Sequence, residues 1–245
     1  MNEHIITDVH THCIWGVDDG PISEDMTMEI IADMYRQGVR RIVATSHGNI
    51  YSRYPYKYIE RFTRLQARLK ESYPDIKLAT GTEIKVYKGQ AGMIKDLLNN
   101  NILYHMGVSD YVLIELSIKN TLEQNISIMR EILDIGIQPI IAHTERYPNF
   151  AGNISSIESL VNDGVKIQIN AYSLEKELQE NVKARARELI KHRLVHFIGS
   201  DGHRTTHRPP VLSAGVEWLF NNTDKEYAEA VTYKNADVFF DSVSI

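Results

Sequence analysis

His10 and His12 stand two positions apart at the end of a short apolar segment that contains Ile5 and Ile6. Residues spaced by two on a strand point the same way, so both imidazoles can face one point. An isolated His-x-His is more often two ordinary surface or core histidines than a metal site. This pair is not isolated. His47, Glu83, Glu115, His143, Asp201 and His203 each stand where a later apolar run ends, and Asp19 lies in the turn Gly16-Val17-Asp18-Asp19-Gly20 just after the pair.

Together these are five histidines and four carboxylates. A mixed nitrogen and oxygen set without thiolate suits Mn, Fe, Zn or Co rather than a structural thiolate zinc. Nine donors exceed the needs of one ion, so two or three divalent ions sharing a bridging carboxylate are expected, with Glu83 as the candidate bridge. Three such ions, at about +6, against four carboxylates leave about +2, a field that suits a phosphate dianion. Arg146, three residues after His143, and Arg208, five after His203, add guanidinium forks that bind phosphate oxygens in a bidentate way. The expected chemistry is therefore phosphoester hydrolysis. The lone Cys13 does not supply it, because a thiolate phosphatase follows its cysteine by five residues and an arginine, and that position holds Asp19. His4, His105, His192, His196 and His207 match no strand end and are expected to be structural or surface residues.

The elements that must position these groups alternate along the chain about seven times. Ser23 reads as the N-cap of a helix through Gln37 that Gly38 ends. The run 41–45 reads as a strand delivering His47, followed by an aromatic segment over 51–58 and an amphipathic helix over 58–72. A strand over 76–80 leads to Glu83, a strand over 110–115 ends in Glu115, and a helix over 121–135 stops at Gly136. The strand over 137–142 ends in His143, the helix over 157–162 stops at Gly164, and Gln168 and Asn170 punctuate the strand over 166–170. A long helix over 174–193, a strand over 195–199 and a helix over 211–220 complete the order. Such alternation implies parallel strands with right-handed helical crossovers, and barrels of this kind carry their chemistry on the C-terminal ends of the strands. The expectation is an α/β chain forming a distorted, TIM-like (β/α)7 barrel, as one domain over residues 1–245.

The 245 residues, 43% of them apolar, can bury a substantial core. No apolar run approaches a bilayer span and no signal-peptide layout opens the chain, so a cytoplasmic protein without membrane insertion is expected. A net charge of −5 argues against a long nucleic-acid track.

The ordered set Asp8-x-His10-x-His12, Asp18-Asp19-Gly20-Pro21, Thr45-Ser46-His47, Gly81-x-Glu83, Ile114-Glu115, Ile141-Ala142-His143-x-Glu145-Arg146-Tyr147, Ser200-Asp201-x-His203 and Arg208-Pro209-Pro210 resembles one family closely. It is the bacterial protein tyrosine phosphatases of the polymerase-and-histidinol-phosphatase (PHP) superfamily, the type found in capsule and exopolysaccharide operons. The resemblance spans almost the whole chain. It implies a distorted (β/α)7 barrel, three metal ions, commonly manganese, and phosphotyrosine on a cognate bacterial tyrosine kinase as the substrate. It further implies His10, His12, Glu83 and Asp201 around one ion, Glu83, Glu115 and His143 around a second, and Asp19, His47 and His203 around the third, with Arg146 and Arg208 on the phosphate. Histidinol phosphatases of the same superfamily would keep these ligands and act on a small molecule. A metal-dependent nuclease and a non-catalytic kinase-binding scaffold are the more distant alternatives, and a homo-oligomer is the expected assembly.

Overall fold

The computed structural model of the chain describes residues 5–48, 55–175 and 179–240. Residues 51–54 of the aromatic segment expected over 51–58, and residues 176–178 near the start of the helix expected over 174–193, lie outside them.

Strands and helices alternate as β1 (Ile6–Thr11), α1 (Glu24–Arg36), β2 (Val39–Ala44), β3 (His47–Gly48), α2 (Pro55–Ser72), β4 (Lys77–Thr80), β5 (Glu83–Lys85) and α3 (Ala91–Asn99). They continue as β6 (Tyr111–Glu115), α4 (Leu122–Asp134), β7 (Gln138–Ile141), α5 (Ile154–Asn162), β8 (Lys166–Asn170), α6 (Glu180–Lys191), β9 (Phe197–Gly199), α7 (Ser213–Asn222) and α8 (Lys225–Glu229). Every strand pair is parallel, in the orders β1-β2-β4 and β3-β5-β6-β7-β8-β9. The sheet curls until its ends approach each other, with Thr11 bridging Gly202 and His12 N–H donating to Gly202 O at 2.9 Å.

Local chemistry sets the helix ends. Ser23 caps α1 by accepting from Met26 N–H, with Glu24 and Asp25 in the first turn against the dipole. Thr121 and Gln124 form a reciprocal capping box on α4, and Gly38 and Gly136 leave their helices with positive φ. Strands β1, β6, β7, β8 and β9 are buried along most of their length on both faces, which their Ile- and Val-rich runs permit. One apolar layer packs the outer face of the sheet against the helices. A second, with Val9, Val43, Ala79, Leu113, Ile140 and Phe197, fills the inside of the curl, where Ala236 and Phe239 from the C-terminal segment join it. Gly107 has φ +60 and lies so close to Phe239 O that no side chain fits there.

Two expected helices differ in extent. The pattern over 174–193 resolves into a 3-10 turn at Ala171–Leu174 and a later helix from Glu180, because Glu145 holds Asn170 N–H and Ser173 Oγ and fixes the turn. The helix expected over 211–220 begins two residues later, behind Pro209 and Pro210. Among the described residues, no helix is long and apolar enough to cross a membrane.

Candidate metal centre

Seven of the nine candidate donors lie at or beyond the C-terminal ends of strands, while His47 and Glu83 open the short strands β3 and β5 that follow the breaks after β2 and β4. His10 and His12 come from β1, with Asp19 in the turn after it, His47 from β3, Glu83 from β5, Glu115 from β6, and His143 from the end of β7; Asp201 and His203 follow β9. The spacing of two does what the strand period requires: the Nε2 atoms of His10 and His12 are 3.3 Å apart. Glu83, 1% exposed, is the hub. Its Oε2 lies 3.4 Å from His10 Nε2, 3.3 Å from His12 Nε2 and 3.0 Å from His47 Nδ1, and its Oε1 lies 3.0 Å from His143 Nε2. Asp201 Oδ1 is 3.6 Å from both His10 and His12 Nε2, while Asp19 Oδ1 is 3.1 Å from His203 Nε2 and 3.6 Å from His47 Nε2.

Among the described residues, three sets of donor atoms lie mutually within 4.8 Å: His12, Asp19, His47 and His203; His10, His12 and Glu83; and His47, Glu83 and Glu115. The first contains the expected trio Asp19, His47 and His203, and the second contains three of the expected four. Around Glu115 the set closes through His47, whereas His143 meets Glu83 from the other side; Lys85 Nζ sits 3.2 Å from Glu115 Oε1.

The histidines are oriented from behind. His12 Nδ1 is 2.8 Å from Asp18 Oδ2, His10 Nδ1 is 3.2 Å from Gln168 Oε1, and His203 Nδ1 is 2.9 Å from the Asp201 carbonyl. A proton assigned to each Nδ1 satisfies these acceptors and turns a bare Nε2 lone pair inward, the tautomer that metal-ligating histidines use. Asp18 also accepts from His47 N–H at 2.9 Å and Gly20 N–H at 3.0 Å, and Gln168 Oε1 accepts from His143 N–H at 2.7 Å. Each of the two therefore ties two ligand-bearing segments together.

Burial would raise the Glu83 carboxyl, but the charged imidazole of His10 and contacts from His12 and His143 outweigh it and hold the group well below the usual range. Burial would likewise lower His12, and its bonds to Asp18 and Glu83 instead lift it to about 10. Asp18 falls to about 2, since the bonds from His12, Gly20 and His47 overcome its burial. His203 moves the other way, to about 4, through burial and the nearby charges of His12 and Arg208.

These residues fit a divalent metal cluster. Donors held about 2.1 Å from one ion stand about 3.0–3.4 Å from one another, which is the spacing of the His10, His12, His47 and Glu83 atoms. Glu83 Oε2 and His203 Nε2 are buried without a well-formed hydrogen bond, although buried polar atoms are ordinarily paired. The protons that the cluster now shares are those a metal would displace.

Both expected arginines reach the cluster. Arg146 NH1 donates to Asp201 Oδ2 at 3.0 Å and Arg208 NH2 to Asp201 Oδ1 at 2.6 Å, with Arg208 NH1 3.7 Å from Asp19 Oδ2. His143, Asp201 and Arg208 all have positive φ, at +33, +53 and +57, a conformation that non-glycine residues adopt mainly where the surrounding structure imposes it. Gln168 and Asn170, which read in the sequence as strand punctuation, are buried in the site, and Asn170 Nδ2 contacts both Tyr172 OH (3.2 Å) and Asp201 Oδ2 (3.3 Å). Their position at the end of a buried strand was the available signal. Of the histidines set aside, His192 and His207 are exposed and His196 pairs with strand backbone; His4 lies outside the described residues.

A family model described as "Capsular polysaccharide synthesis, CpsB/CapC" matches residues 6–241. The chain is 35% identical to the tyrosine-protein phosphatase CpsB of Streptococcus pneumoniae over 217 residues, covering 86% of this chain and 88% of that one. A crystal structure from a study of Bacillus subtilis YwqE and S. pneumoniae CpsB, described there as unique metal-dependent tyrosine phosphatases, superposes with a TM-score of 0.82 at 26% identity, over 96% of this chain and 94% of the other. The fold extends to a phosphotriesterase homology protein of Escherichia coli, TM-score 0.59 at 11% identity, over 96% and 98% of the two chains. The chain belongs to the CpsB/CapC family of capsular polysaccharide synthesis.

Proposed function

We propose that this chain is a metal-dependent protein tyrosine phosphatase, and that its substrate is phosphotyrosine on a bacterial tyrosine kinase that governs capsule or exopolysaccharide synthesis in the cytoplasm. The observation that carries the reading is the Glu83 carboxylate, set among His10, His12, His47 and His143 beneath two arginines that converge on Asp201. In this reading the curled sheet is a distorted (β/α)7 barrel, with β2 and β3 counted as one broken strand and β4 and β5 as another. The whole chain acts as one catalytic domain.

His10, His12, Asp19, His47, Glu83, Glu115, His143, Asp201 and His203 would hold two or three divalent ions, Mn2+ by preference, with Fe, Zn or Co as substitutes. Divalent ions held there would supply Lewis acidity and lower the pKa of a bound water. Asp18 and Gln168 fix the imidazoles of His12 and His10. Arg146 and Arg208 turn from Asp201 to the phosphoryl oxygens and stabilise the charge that develops on them. The phenol leaves with a pKa of about 10, so the reaction does not demand a strong general acid. Comparing a phosphotyrosine peptide, histidinol phosphate and an oligonucleotide as substrates of the metal-loaded protein tests the reading. The peptide is expected to have the highest kcat/KM; preference for histidinol phosphate would overturn the assignment.

A further inference from the structure

Gln37, at the C-terminal end of α1, directs its side chain to the segment that follows Arg208. Its Nε2 donates to Pro210 O at 2.6 Å, and its Oε1 accepts from Leu212 N–H at 2.8 Å and Ser213 N–H at 3.1 Å. Helix α7 starts at Ser213 without a side-chain cap of its own, so a residue from another helix satisfies its first donors. Arg208 itself sits at φ +57, and its carbonyl accepts from His203 N–H at 2.8 Å. Pro210 presses on Gly202, where a Cβ would meet Pro210 Cβ at 2.7 Å. The loop is thus held by the metal-ligand side at His203 and by α1 at Gln37. Between α1 and Pro209–Ser213 an open groove of about 380 Å³ remains, so close packing alone does not hold the segment against the helix.

We propose that Gln37 is a positioning residue for Arg208, fixing the Pro209–Ser213 segment so that the guanidinium is held on the Asp201 and Asp19 side of the cluster, within reach of a phosphoryl group bound there. The inference rests on the reading of Arg208 as a phosphate ligand. Gln37 lies outside the cluster and touches no donor of it, so its loss acts on the arginine and leaves the metal sites filled.

The test is a double-mutant cycle read as inhibition by inorganic phosphate, on the metal-loaded full chain, with metal content measured for each variant. Arg208→Ala is expected to weaken inhibition about 100-fold. Gln37→Met, which keeps the side-chain length and removes the three bonds to the Pro210–Ser213 backbone together with the weak one to Asp33 O, is expected to weaken it about tenfold, with KM for a phosphotyrosine peptide raised and metal content unchanged. Gln37→Glu keeps an acceptor for Leu212 and Ser213 but loses the donations to Pro210 and Asp33 and sets a carboxylate oxygen against the Pro210 carbonyl, so it should weaken inhibition by up to about tenfold and serves should Gln37→Met fold poorly. Combined with Arg208→Ala, neither Gln37 variant should weaken inhibition further. An equal loss in both backgrounds, or no loss from either Gln37 variant, overturns the proposal. An Arg208→Ala protein that phosphate inhibits normally overturns the reading of Arg208 as well.

Discussion

His47 and Glu83 face each other in register across the parallel β3–β5 pair, with His47 Nδ1 3.0 Å from Glu83 Oε2. The pairing exists because two neighbouring strands break at the same level, at Thr45-Ser46 and at Gly81-Thr82, and resume one step further along. Gly81 lies so close to Val43 and Thr45 that a side chain there would clash, so the break needs its glycine. Glu83→Gln preserves the shape and removes the charge that the imidazoles share. It is expected to lower phosphotyrosine hydrolysis more than about 100-fold and to reduce bound metal, measured by elemental analysis of the purified protein.

Asp18 is expected to act on the metals without touching them. Asp18→Asn loses the charged acceptor behind His12 Nδ1 while keeping an oxygen for the backbone. Metal affinity by calorimetric titration should fall about 10- to 100-fold. An unchanged affinity would show that His12 needs no support from behind.

Arg146→Lys keeps the charge and loses the planar fork. A kcat/KM loss of about 100-fold is expected, with the metal content of the native protein. Near-native activity would mean that a point charge suffices at this position.

His196 gives a pH dependence outside the metal centre. Its Nδ1 accepts from Ile167 N–H at 3.3 Å, and burial, with the charge of Lys166 adding to it, lowers its pKa from 6.5 to about 4. Between these values the unfolded chain binds the proton and the folded chain does not. Stability from this group is therefore complete above pH 6.5 and lost as pH falls toward 4, by about 3 kcal/mol at most. Urea midpoints at pH 7.5 and pH 5 should differ less in His196→Gln than in the native protein.

Phe239 tests stability apart from chemistry. It is fully buried at the inner core, against Phe197 and Tyr111. Phe239→Ala should cost about 3–5 kcal/mol and lower Tm by about 10 °C, while kcat at low temperature stays near native.

Much of this was legible in the sequence because it is encoded locally. Ser23 announces its helix, and Glu115, His143 and Asp201 stand at or just past the C-terminal ends of their strands, whereas His47 and Glu83 open β3 and β5 just past the breaks after β2 and β4. What escaped was encoded at a distance. Gln168 supports His10 from 158 residues away, and Gln37 reaches Pro210 across 173. Both are neutral amides with no motif around them, so only the folded chain reveals their partners. The over-long helix from 174 has a similar origin: the residues favour a helix, but Glu145 binds Asn170 and Ser173, and the Ala171 carbonyl packs against Gly215.

The most direct test of the account is phosphatase activity on a phosphotyrosine peptide after chelation, with Mn, Zn, Fe and Co added back separately. The account predicts complete loss on chelation and rescue by a divalent ion, most strongly by Mn, in the native protein and not in Asp201→Ala. Activity that survives removal of all bound metal would contradict it.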